Sequence, residues 1–285
     1  MKKTLVLALT AAMVLGLCAC GKTNAAVDAE VAEEIEAATE ELVDAVDEAV
    51  AEVEDATEEV TEDVAEETTD AAVMTYADYV AAELDSEVTV ETYVQATQSW
   101  WDNKITVYSQ DEDGAYFLYN MACSEEDAAK LVPGTKIKVT GFKSEWSGEV
   151  EIVDATFEFV DGSYVAEATD VTDIYGTEDI DAQMNKFVAV NGLTVVASTD
   201  ADGNEAAFLY NWDGSGEAGT DADLYFNASL GDQTYTFTVE YYLCNEESDA
   251  YKAVTGLNIG DTIDLEGFLY WYEGAQPHVT KVTVK

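Results

Sequence analysis

The feature that most restricts the fold of this chain is that its C-terminal part, residues 73–285, states one pattern twice. Asp111-Glu112-Asp113-Gly114 leads to Phe117-Leu118-Tyr119-Asn120, and Asp200-Ala201-Asp202-Gly203 leads to Phe208-Leu209-Tyr210-Asn211. Further on, Cys123, Gly134, Ile137, Val139, Gly141 and Phe142 are echoed in the same order by Cys244, Gly260, Ile263, Leu265, Gly267 and Phe268. A repeated unit of about a hundred residues is long enough to enclose its own core. The region therefore divides into domains at 73–162 and 186–285, joined by a linker at 163–185.

Each copy reads as β-structure. Val88, Val90, Thr92, Val94 and Ala96 alternate as a half-buried strand does. A second strand over 104–109 meets the Asp-x-Asp-Gly turn, and a third carries Phe-Leu-Tyr-Asn. Ser124 caps a short helix over 124–132, with Glu125, Glu126 and Asp127 where the helix dipole favours acids. A fourth strand places Ile137 and Val139, or Ile263 and Leu265, on one face. Residues 149–159 and 278–284 close the two units, and 187–197 opens the second.

Five strands with a helix between the third and fourth is the order of the OB-fold. The Gly-x-x-Ile-x-Val/Leu-x-Gly-Phe strand is similar to the fourth strand of bacterial OB-fold modules, and the resemblance spans 86–285. It implies an all-β body of two tandem five-stranded barrels and is silent on activity. The second copy holds about 30 extra residues between 211 and 241, read as a hairpin inserted at the barrel mouth, where loops carry specificity.

Ahead of the repeats, residues 23–72 contain 20 acids and no lysine or arginine. Alanines and valines recur there at helical spacing, but like charges at i,i+4 oppose a helix and the stretch has no aromatic residue to build a core. It reads as an acidic, partly helical or disordered stalk. At the N-terminus, Lys2 and Lys3 precede a short apolar run that is too brief for a membrane span. Leu17-Cys18-Ala19-Cys20 then resembles the lipobox of bacterial lipoproteins. The resemblance implies a signal peptide over 1–19, cleavage after Ala19, a lipid on Cys20, a tether over 20–72, and a cell-membrane anchor on the extracellular face of a Gram-positive bacterium.

Acids outnumber lysines 60 to 12, arginine is absent, and the net charge is −48. That balance predicts no nucleic-acid partner, because such binding rests on cations. With a single histidine, His278, a multi-histidine zinc site is excluded. His278, beside Pro277, reads as an edge-strand residue. No metal or cofactor is expected. Gly214-x-Gly216-x-x-Gly219 spells a dinucleotide fingerprint, yet acids surround it and a strand follows instead of a helix. Asp111/Asp113 and Asp200/Asp202 read as turn residues, not calcium ligands. Cys123 and Cys244 read as two buried thiols, with a disulfide the lesser alternative.

The aromatic residues carry the functional expectation. Trp100, Trp101, Trp146, Trp212 and Trp271, with Tyr119 and Tyr210 of the repeated motif, are the candidate ligand-binding residues. Several stand among Asp, Asn and Ser with few cations nearby, which suits stacking on sugar rings or peptides. The expectation is a non-enzymatic, membrane-anchored surface module for extracellular glycan or peptide. A protein–protein interaction module of the envelope and an acid-dependent hydrolase follow as alternatives.

Overall fold

The computed structural model describes residues 72–285. The signal peptide, Cys20 and nearly all of the acidic stalk lie outside the described residues. The described chain opens with helix α1 (Tyr76–Ala81), begun by a reciprocal capping box between Thr75 and Asp78. There follow β1 (Glu87–Thr97), β2 (Lys104–Gln110), β3 (Ala115–Ala122), α2 (Glu125–Ala128), β4 (Thr135–Trp146) and β5 (Glu149–Ser163). After β6 (Thr169–Asp170) and a 3-10 turn at Glu178–Gln183 come β7 (Phe187–Val196), β8 (Ser198–Thr199), β9 (Glu205–Ala206) and β10 (Leu209–Tyr210). The chain ends with β11 (Leu224–Leu230), β12 (Gln233–Val239), α3 (Asp249–Thr255), β13 (Thr262–Phe268) and β14 (His278–Val284).

Strands β1-β2-β3-β5-β4 close into a barrel. Strands β7, β11, β12, β14 and β13 close into a second, with β6 and β10 added at its margins. In both, the third strand runs parallel to the fifth: Phe117 lies opposite Glu151, and Thr238 opposite His278. The helix falls between strands three and four each time. This is the OB-fold order expected from the repeats.

Inward positions are apolar, as period-two alternation requires. Val88, Val90, Val107, Leu118, Ile137, Val139 and Ile152 fill the first barrel. Val188, Val190, Leu224, Phe226, Phe237, Ile263 and Leu265 fill the second. Each such side chain contributes roughly 1.5–3 kcal/mol by leaving water. Cys123 and Cys244 are buried free thiols, each just ahead of its barrel's helix. Ser124 caps α2 through Asp127 N. The helix is shorter than its sequence pattern, because Lys130 and Leu131 turn to i−3 carbonyls.

One element differs from the sequence reading. The supposed inserted hairpin, β11–β12, is the second and third strand of the second barrel. The true insertion is residues 197–223, between the first and second strands. Phe208-Leu209-Tyr210-Asn211 therefore belongs to that loop, although its counterpart 117–120 lies in β3. Gly231, at φ +61° with Asp232 after it, makes the two-residue turn that joins β11 to β12.

The barrels are not independent beads. Tyr108, Phe117 and Phe268 form a third buried cluster, with Phe187 and Tyr270 packed on it. Tyr108 stacks on Phe268 at 4.6 Å between centroids. Phe187 N donates to Gln110 Oε1 at 2.8 Å, Ser99 N to Tyr242 O at 2.8 Å, and Asn185 Nδ2 to Val150 O at 3.0 Å. Apolar packing crossed by directional bonds holds one orientation.

Candidate functional site

The junction between the barrels opens on one side into a cleft of about 730 Å³, within the range of small-molecule sites. Its floor is the outer face of β11 and β12. Phe226 and Phe237 point into the barrel, so period two sends Tyr225, Asn227 and Thr236 into the cleft. Asp223 and Glu240 extend the same ladder, one residue beyond the Leu224–Val239 pair. The segment 270–276 supplies Tyr270, Tyr272 and Gln276, and the insertion supplies Ser198, Thr199, Leu209 and Trp212. From the first barrel, Trp146 at the end of β4 completes the rim.

His278 forms the inner wall. It is buried on β14 between Tyr108 and Tyr270, so the edge-strand expectation for it is corrected. Its Nδ1 lies 2.6 Å from the Tyr108 hydroxyl, and Tyr270 stacks on its ring at 4.2 Å. Burial pushes its pKa down to about 3, so the imidazole is neutral near pH 7.

The acids respond oppositely. Burial first, and then the Asp223 charge, push Glu240 up to about 7. Burial raises Asp223. Asp223 Oδ1 accepts from Tyr241 N at 2.8 Å, and Glu240 Oε2 from Leu243 N at 2.6 Å. Among the described residues, no lysine lines the cleft. Among the described residues, no three His, Cys, Asp or Glu gather into a metal site.

Of the residues expected from sequence, the cleft unites Trp146 and Trp212, and Trp212 is 75% exposed at the mouth. Trp100 and Trp101 line a separate groove of about 430 Å³ with Tyr242. There Asp102 and Asn103, both at positive φ, make the hairpin turn. Trp100 packs on the barrel and donates to Cys123 O at 2.9 Å, leaving Trp101 in solvent. Tyr119 stacks on Phe117, Tyr210 packs edge-on to Phe208, and Trp271 lies against Gly148; these three line neither cavity. Sequence reasoning missed Asp223, Tyr225, Glu240, Tyr270, Tyr272 and His278. The alternation of Tyr270-Trp271-Tyr272 was a usable signal, and it directs the two tyrosines, not the tryptophan, into the cleft.

The two aspartate turns need no ion. Asp111 Oδ1 accepts from Asp113 N and Gly114 N, and Asp200 Oδ1 from Asp202 N and Asn204 N.

Fold and site together define a tandem OB-fold protein with an aromatic, acidic cleft at its junction. No family model and no curated protein matches the chain. Solved structures of similar arrangement are HIN domains. The Ifi202 HINa domain in complex with 20bp dsDNA is 11% identical, covers 70% of this chain and 98% of its own, and gives a TM-score of 0.31. The p204 HINb domain is 10% identical over 72% of this chain and 100% of its own, with a TM-score of 0.32. A murine DNA binding protein bound with ds DNA is 14% identical over 70% and 98%, with a TM-score of 0.29.

These neighbours correct two expectations. Excluding nucleic acid on net charge does not stand, because solved structures in this comparison are complexes with duplex DNA. The glycan- or peptide-binding role rested on the same charge argument and is withdrawn with it. Its physical weakness was to treat the charge of the whole chain as the charge of a site, although 20 of the 60 acids lie in 23–72, ahead of the barrels.

Proposed function

We propose that this chain is a small-molecule-binding protein that takes its ligand in the cleft between its two barrels, without catalysis. The observation that carries this reading is the cleft itself. Trp146, Trp212, Tyr225, Tyr270 and Tyr272 converge on one cavity from both barrels, with Asp223 and Glu240 among them. A few polar groups set among ring faces is the pattern of a ligand pocket. The non-catalytic part is supported by Tyr108, which by donating to His278 Nδ1 leaves the ring proton on Nε2, so that the imidazole offers Ser198 and Thr199 no free nitrogen as a base. Cys20 in its lipobox-like setting supports a lipid anchor that presents the unit at the outer face of a cell membrane.

The test is a panel of small cations, neutral molecules and anions, with a duplex oligonucleotide included, read by tryptophan fluorescence and thermal shift on the full chain. At least one small molecule is expected to shift the wild type and to lose that effect in Trp212→Ala. A panel with no Trp212-dependent response, or a response to the duplex alone, overturns the reading. Acyl-chain mass spectrometry at Cys20 tests the anchor, and an unmodified, unprocessed N-terminus in the native host overturns it.

A further inference from the structure

We propose that the ligand of the inter-barrel cleft is a small organic cation, its ammonium-type head held between Asp223 and Glu240 and its carbon framework laid against the surrounding rings. This rests on the reading of the cleft as a ligand site and adds the chemical class.

The argument begins with strand register. Leu224 pairs with Val239, so Asp223 and Glu240 face each other at the next step of the β11–β12 ladder. Like charges directly opposite destabilise a sheet. Asp223 Oδ1 accepts from Tyr241 N, and Glu240 accepts from the backbone amides of Leu243 and Tyr242. The ionisable groups that couple to the pair or line the cleft with it bring no positive charge: Tyr225 on β11, Tyr108 of the first barrel, Cys244 after β12, Tyr251 on α3, and the neutral His278. Lysines elsewhere already serve other acids, as in Lys136–Glu91, Lys281–Glu266 and Lys285–Asp264. The carboxylates therefore stand in a partly dehydrated cleft without a counter-charge, where each opposes ionisation of the other.

A second observation points the same way. Tyr225 stands on the ladder beside Asp223, Tyr270 lies flat on His278, and Trp146 and Tyr272 meet at 5.4 Å across the rim. Ring faces attract cations, most strongly where water is scarce. Thr238, between Thr236 and Glu240 on the same strand, is buried beneath the cleft floor with its hydroxyl beside that of Tyr225. Acids and ring faces in one cavity fit an amine or quaternary ammonium.

The experiment compares choline with its carbon isostere 3,3-dimethyl-1-butanol on the full chain by titration calorimetry. Choline is expected to bind at least about tenfold more tightly near pH 8, as a charge with two carboxylate partners requires. Glu240→Gln and Asp223→Asn should each remove most of that preference and leave the isostere unaffected, with thermal melts verifying the fold. Lowering the pH to about 5 should weaken choline several-fold, since the cation must then displace protons. Equal affinity for the two probes overturns the cation assignment and leaves the cleft reading standing. So does Trp212-dependent binding of neutral or anionic panel members without choline. A panel with no Trp212-dependent response fells both.

Discussion

Tyr108 of the first barrel and His278 of the second meet hydroxyl to imidazole at 2.6 Å, while Gln98 Nε2 donates to the same phenol oxygen at 3.3 Å. Since that oxygen already accepts from Gln98, its own hydrogen goes to Nδ1, and the imidazole proton sits on Nε2. The histidine is neutral when folded, with its pKa held at about 3 by burial, but protonates near the ordinary value when unfolded. Stability from this group is therefore complete above about pH 6.5 and declines as pH falls toward 3. Tyr108→Phe strands Nδ1 without a donor, at an expected cost of about 1–3 kcal/mol. Urea unfolding at neutral pH measures it, and a change within about 0.5 kcal/mol would deny the contact any stabilising role.

The opposite pH dependence comes from Glu149 at the same junction. It is 0% exposed, and its Oε2 accepts from Trp271 N at 2.8 Å. Burial pushes its pKa up to about 8, with neighbouring Glu151 adding to the rise. The folded state then holds a proton that the unfolded chain releases near the ordinary carboxylate value, so stability falls as pH climbs from about 4.5 to 8. Glu149→Gln keeps an acceptor for Trp271 N and removes the titration. The variant should be the more stable protein at pH 8, by roughly 2–4 kcal/mol, and indistinguishable from wild type near pH 4. Parallel pH profiles for the two proteins would sink this account.

Gly148 joins β4 to β5 beside Ser147, and both residues take positive φ, as a two-residue hairpin turn demands. A Cβ on Gly148 would also stand 2.8 Å from Trp271 Cδ1, so the glycine serves the docking of the barrels as well as the turn. Gly231 in the β11–β12 turn has positive φ but open space around it. Gly231→Ala should cost only the backbone strain, about 1 kcal/mol. Gly148→Ala should cost about 1–3 kcal/mol and shift Trp271 emission to the red. Equal losses in the two variants would mean that Trp271 yields without strain.

The strands of the first barrel were legible because its turns are short and buried apolar residues recur at every second position, as at Val88 and Val90 in β1 and at Ile137 and Val139 in β4. In the second barrel a local likeness misled. Phe208-Leu209-Tyr210-Asn211 copies the residues of β3, but strand identity is decided by pairing, and β10 reaches only the start of β11. The Gly231-Asp232 pair between alternating runs was the better signal, since glycine at the first turn position marks a hairpin. The cleft was harder to read, because Asp223, Tyr225, Tyr270 and His278 become neighbours only after both barrels close and dock. Tryptophan count was a poor guide for the same reason. Trp271 spends its ring on Gly148, while the less conspicuous tyrosines on either side face the cleft.

Trp146 and Tyr272 pair across the cleft rim, at 5.4 Å between centroids and a 40° tilt. They come from different barrels, and beside them Glu273 N donates to Ser147 O at 2.8 Å, tying the two turns together. Exposure of Trp146 keeps the contribution to docking modest, and aromatic pairs of this geometry are worth about 0.5–1.5 kcal/mol beyond their burial. A double-mutant cycle with Trp146→Ala and Tyr272→Ala should return a coupling in that range in unfolding experiments. Bound ligand should enlarge it, because a molecule held under both rings ties their energies together. If the coupling is zero in the free protein and stays zero when a cleft ligand saturates it, the rim does not act as a unit and the cleft walls bind independently.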